Sequence, residues 1–161
     1  MLEDIPENQL TDRIINAAIE VHKTLGPGLK EEVYEAALAL ELDWRGFKCQ
    51  RQVPVQVTYK GVDIGEAEHP KRIDLLVEDT VVVECKALPA GQDPLFKAQC
   101  LTYLKMTGKR VGLVMNFGRP TMKEGISRVF NETREEYRAR LARENPEALK
   151  RVLEEEDGAT A

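Results

Sequence analysis

The chain has 161 residues, of which 42% are hydrophobic and 32% charged, with a formal net charge of -5; this suits one globular domain with a modest core and an appendage. No apolar run approaches the ~18 residues of a membrane-spanning helix, and the start "MLEDIPENQL" is acidic where a secretion signal would be basic and then apolar. A membrane protein is therefore excluded and a cytoplasmic location expected, and Cys49, Cys85 and Cys100, widely spaced with no Cys-x-x-Cys pair, read as reduced core residues and not as a zinc or redox site.

Leu10, Ile14, Ala17, Ala18, Val21 and Leu25 recur at helical spacing, and "GPG" at 26–28 stops that helix. A second helix is expected over Leu29–Arg45, with Gly46 as its left-handed cap. Val33, Ala37, Leu40 and Trp44 form one of its stripes, and Glu31, Glu35, Leu38 and Leu42 form the opposite one. Two apolar stripes predict a helix sandwiched between a sheet and the first helix, with Glu31 and Glu35 near a buried boundary.

From Phe47 to Ala87 the period changes to two. Val53, Val55, Val57 and Tyr59 predict a strand, "YKGV" a tight turn, and Val62 and Ile64 a return strand; Pro54 points to an exposed edge. Ile73–Val77 and Val81–Ala87 predict a second hairpin around "EDT". Asp93 and Pro94 open a helix that runs to about Thr107 before Gly108, and a buried strand follows over Arg110–Phe117. "MKEGISRVFN" can add at most an edge strand. Residues 132–161 read as a charged helical tail broken at Pro146, to be packed on the first helix or on a second copy of the chain.

Within the second hairpin a charged set interrupts the valines. Glu84 and Lys86 share one face of their strand. A three-residue loop, Glu78–Thr80, pairs Val77 with Val81 and hence Asp74 with Glu84, on one face; a two-residue loop would put the carboxylates on opposite faces. Two carboxylates so placed make a hard oxygen site suited to magnesium or manganese. A lysine two residues beyond can hold a metal-bound water or neutralise charge on phosphorus, which is the logic of metal-assisted phosphodiester hydrolysis.

The pattern D-x9-E-x-K at Asp74, Glu84 and Lys86 resembles the PD-(D/E)XK nuclease superfamily. Gln99 and Tyr103 are similar to the Q-x-x-x-Y pair of its RecB-like members. Gly28, Glu31 and Tyr34 match the G-x-x-E-x-x-Y signature of a small prokaryotic family of this superfamily, and the likeness spans about residues 9–131. It implies an α/β (α+β) fold with an αβββαβ core: a mixed sheet flanked by helices, with an extra N-terminal helix and the charged tail. The domain division is then 1–131 and 132–161.

The resemblance implies a magnesium- or manganese-dependent nuclease acting on nucleic acid, DNA first. Asp74, Glu84, the carbonyl of Cys85 and Glu31 or Glu35 would hold the cation. Lys86 would act on the attacking water, and Gln99, Tyr103 and Tyr34 would meet the substrate. Ile73 stands where the superfamily name has proline. Phe96 takes a helix position where the family would carry histidine, and "AEHPKR" is longer than the pattern, leaving His69 unassigned, as is His22. Two rival readings are a non-catalytic nucleic-acid binding or assembly module of the same fold and a phosphohydrolase of small nucleotides. Charge distribution accommodates a nucleic-acid partner despite the acidic total: residues 44–131 hold 14 Lys and Arg against 9 Asp and Glu, and the flanks hold 9 against 19.

Overall fold

The computed structural model describes residues 7–64, 71–89 and 93–159; the segment containing His69 lies outside them. The chain divides into two compact units, Met1–Asn131 and Glu132–Ala161.

In the first unit, α1 (Glu7–Leu25) ends where Gly26 and Gly28 turn the chain at φ 69° and 106°. Helix α2 (Glu31–Trp44) starts two residues later than its apolar pattern predicts. Leu29 is held outside it, because its N–H donates to the Tyr34 hydroxyl at 3.1 Å. Gly46 takes the expected left-handed conformation, φ 84°, and the Phe47 N–H reaches back to the Leu42 carbonyl at 3.0 Å.

Strands β1 (Cys49–Pro54), β4 (Arg72–Val77), β5 (Val81–Lys86), β6 (Val111–Asn116) and β7 (Ile126–Phe130) form one sheet in that order. β5 and β6 are parallel and the other pairs antiparallel. The parallel pair is joined through α3 (Asp93–Thr107), as a crossover requires. α2, β1, β4, β5, α3 and β6 are the αβββαβ core, and β7, introduced by the short helix α4 (Met122–Gly125), is the edge strand allowed for in "MKEGISRVFN".

Two expectations are corrected. The strand predicted over 53–59 is split: β1 lies earlier, and Pro54, with no N–H to give, is its last residue. Thr58–Tyr59 (β2) pairs with Val62–Asp63 (β3) in a separate hairpin around Lys60 and Gly61, both at positive φ. Helix α2 is not sandwiched either. It lies beside α1 in one layer, burying Tyr34, Glu35, Leu38 and Leu42, while Val33 and Leu40 are nearly half exposed and Trp44 is 73% exposed.

Side-chain alternation divides the core. Leu75, Val77, Val81, Val83 and Cys85 pack beneath α1 and α2 with Leu113 and Met115. Leu76, Val82 and Val114 pack against Phe96, Cys100, Tyr103 and Leu104 of α3. The three thiols are free, with Cys85 and Cys100 buried; burial pushes Cys100 up to about 12, as suits inert core residues.

The second unit is a helix pair. A capping box between Thr133 and Glu136 opens α5 (Arg134–Glu144), and Pro146 at the first position of α6 (Pro146–Ala159) makes the expected break. Glu156 receives Arg134 and Arg138, and Arg140 meets Glu132 at 2.7 Å.

Candidate active site

The site is built where β4 and β5 part. Their register runs through Val77↔Val81, Leu76↔Val82 and Leu75↔Val83, so the three-residue loop is the one formed. Carried one step further, it sets Asp74 opposite Glu84 on the α3 face. Side chains take over from the ladder there: Cys85 N–H donates to Asp74 Oδ2 at 2.8 Å, and Asp74 N–H donates to Glu84 Oε1 at 3.3 Å.

Glu84 is 3% exposed. Burial, and then the neighbouring Asp74 charge, push its carboxyl up to about 8. Burial also raises Asp74, opposed by the Cys85 N–H and the Lys86 charge. Glu35 is raised by burial first, while the bond from Arg51 pulls the other way. Burial thus raises all three carboxyls, and the Asp74 charge adds to the rise at Glu84 and Glu35.

Lys86, through its charge, favours ionised Asp74 and Glu84 from a distance. Its Nζ donates to Gln99 Oε1 at 3.0 Å and stands 5.0 Å from the centre of the Phe96 ring. Gln99 Nε2 in turn donates to the Tyr103 hydroxyl at 3.2 Å. The Q-x-x-x-Y pair therefore lies at the lysine end of the site, on the face carrying Phe96. Leu95, one turn before Gln99 on α3, is exposed. The departure at Phe96 acquires a physical account: its ring seats the lysine.

From α2, Glu35 is the carboxylate hydrogen-bonded to site neighbours, while the Glu31 charge is felt at Cys85. Glu35 Oε1 accepts from Arg51 Nε at 3.1 Å and Oε2 from Gln52 Nε2 at 2.8 Å. Gln52 Nε2 also faces Asp74 Oδ1 at 3.4 Å. Glu31 is exposed at the start of the helix. Tyr34 as a substrate contact is corrected: it is wholly buried, stacked on Phe117 with ring centres 4.6 Å apart, and its hydroxyl donates to the Gly26 carbonyl. Its work is to pin the glycine turn to α2. His22 ties α1 to the Arg119 carbonyl at 2.9 Å.

Arg51 and Gln52 were not legible as site residues, because a strand starting at Val53 leaves them outside it. The pairing Arg51↔Leu75 and Val53↔Ile73 sets Gln52 across from Asp74, and only that register could have revealed it.

Among the described residues, no group of three or more His, Cys, Asp or Glu side chains is set to hold a metal ion. What is available is a pair of neighbouring carboxylates, Glu84 buried and Asp74 half-buried, with Glu35 held back by Arg51 and Gln52. Two carboxylates beside the Cys85 backbone form an all-oxygen donor set, which fits magnesium or manganese better than zinc, whose structural sites are closed nitrogen and sulfur sets. Among the described residues no helix is long and apolar enough to cross a membrane.

A family model described as the PD-(D/E)XK nuclease superfamily matches residues 8–129. No curated protein and no solved structure gives a match.

Proposed function

The chain belongs to the PD-(D/E)XK nuclease superfamily, and on that premise we propose that it is a magnesium- or manganese-dependent nuclease hydrolysing phosphodiester bonds of nucleic acid, with DNA the first substrate to test. The observation that carries this reading is the meeting of Asp74 and Glu84 at the point where β4 and β5 part, two residues before Lys86.

In this reading Asp74, Glu84 and the Cys85 carbonyl would hold the cation. When bound, the cation supplies a Lewis acid for the phosphate and a water of lowered pKa. To hold a cation Glu84 would have to be ionised, giving up the proton that its burial favours. Lys86, kept extended by Gln99 and Phe96, orients the attacking water and offsets the charge that gathers on the phosphate oxygens. Gln99 positions Lys86, and the Tyr103 hydroxyl beyond it meets the phosphate chain. Glu35 acts through its neighbours and sets the negative field of the pocket.

The test is cleavage of end-labelled single- and double-stranded DNA and RNA in magnesium or manganese. Cleavage is expected with the wild-type chain and is expected to be lost with Asp74→Asn and Glu84→Gln. Binding without cleavage of any of them would favour a non-catalytic nucleic-acid module. Neither binding nor cleavage would leave a small phosphorylated nucleotide as the substrate class.

A further inference from the structure

We propose that Gln52 is a positioning residue of the carboxylate centre, its amide tying Glu35 of α2 to Asp74 of β4 and so fixing the Asp74 carboxylate for a divalent cation. The proposal rests on the metal-centre reading above.

In a regular strand, consecutive side chains leave on opposite faces. Arg51 and Gln52 are consecutive, yet both grip Glu35, one on each carboxylate oxygen, at 3.1 and 2.8 Å. What allows this is the backbone of Gln52, at φ 52° in the left-handed region, which a non-glycine residue rarely enters in mid-strand. No residue has been inserted: Arg51↔Leu75 and Val53↔Ile73 keep one register on either side. Only Gln52 is turned, and the turn lets a side chain that would otherwise leave Glu35 reach it. Arg72 Nη1 donates to the Gln52 carbonyl at 3.1 Å and secures the turned peptide.

The same Nε2 carries a second hydrogen, and Asp74 Oδ1 lies 3.4 Å from it. One neutral amide thus stands between two carboxylates. A lysine there would link them as well, but its charge would satisfy the field that a cation would otherwise satisfy. An amide holds the oxygens apart and leaves the charge of Asp74 for the metal, while that of Glu35 is met by Arg51. Strained backbone of this kind persists where the surroundings over-determine it and gathers at functional sites, and hydrogen-bond partners that orient ligand carboxylates govern metal affinity.

Two substitutions separate the amide from the bend. Glycine adopts positive φ without strain, so Gln52→Gly keeps the backbone and removes the amide, whereas Gln52→Ala removes the amide and keeps the strain. Manganese affinity of the metal-stripped full-length chain is measured by titration calorimetry, with thermal unfolding as the control for folding. Both variants are expected to bind manganese about 10–100-fold more weakly than wild type, with Gln52→Gly at least as stable as Gln52→Ala. A folded Gln52→Gly that binds manganese like wild type would overturn the role of the amide while leaving the metal centre standing. A wild-type chain that takes up no manganese at millimolar concentration would overturn the proposal together with the reading it rests on.

Discussion

Glu84 carries the most sharply displaced acid of the site, and its displacement predicts the pH response of the metal-free protein. The unfolded carboxyl ionises near its ordinary value of 4.5, while the folded one keeps its proton to about 8. The folded state therefore binds the proton more tightly. The stability this confers is present in full below pH 4.5 and is lost as pH rises through 8, on the order of 5 kcal/mol for the group. Asp74 and Glu35, also raised, add to the same slope. Without metal, the unfolding temperature should fall between pH 5 and 8. Glu84→Gln should make that fall shallower, and manganese at pH 8 should restore the lost stability. Manganese binding at pH 7 should release protons, read as a dependence of the calorimetric heat on the ionisation enthalpy of the buffer; equal heats in all buffers would contradict the displaced proton. Lys86→Ala should leave the fold and the metal affinity intact and lower cleavage about 10²–10⁴-fold, measured in single-turnover assays. Asp74, Glu84 and Lys86 were legible because parity along a strand and a loop length decide which side chains share a face. The seat of Lys86 was not, since a phenylalanine in a helix looks like core until its ring is seen beneath the ammonium.

Among the elements, the second hairpin was readable because its valines and its three-residue loop leave one register that buries them. β1 was misplaced because Val53, Val55, Val57 and Tyr59 alternate as well as any strand. What decided its position was pairing with β4 over residues 49–54, a long-range contact that local alternation does not contain. Likewise the stripe Val33, Leu40 and Trp44 reads as buried by pattern alone, but which face of a helix meets the sheet is settled by what lies beside it. The seating of α3, which presents Gln99 and Tyr103 to Lys86, rests on Gly112 of β6. A methyl group there would come within 2.5 Å of Cys100 Sγ and 3.4 Å of the Val82 carbonyl. Gly112→Ala should destabilise the protein by about 1–3 kcal/mol, and adding Cys100→Ala should recover much of that loss. Chemical denaturation of the single and double variants measures both; an additive loss would mean that α3 does not seat there.

For the whole molecule, the charge distribution and the division of the chain carry the remaining expectations. A chain ending at Asn131, which retains the five-stranded sheet and the whole family match, is expected to fold and to bind manganese like the full chain; a folded truncation without metal binding would tie the tail to the site. Nucleic-acid affinity should fall steeply with salt, as it does when lysine and arginine displace counterions from phosphates, and Lys71→Glu with Lys97→Glu should weaken it alike for all sequences, because phosphate contacts carry no base information. The central claim joins cation and phosphodiester at one place, and fluorescence anisotropy of labelled DNA and RNA at low salt, with calcium or with chelator, tests it most directly. Calcium is a hard cation that accepts the same oxygen ligands. The account predicts tighter binding with calcium than with chelator, and loss of that increment in Asp74→Asn and Glu84→Gln. It is contradicted if no DNA or RNA binds in calcium, or if the calcium increment survives in both variants.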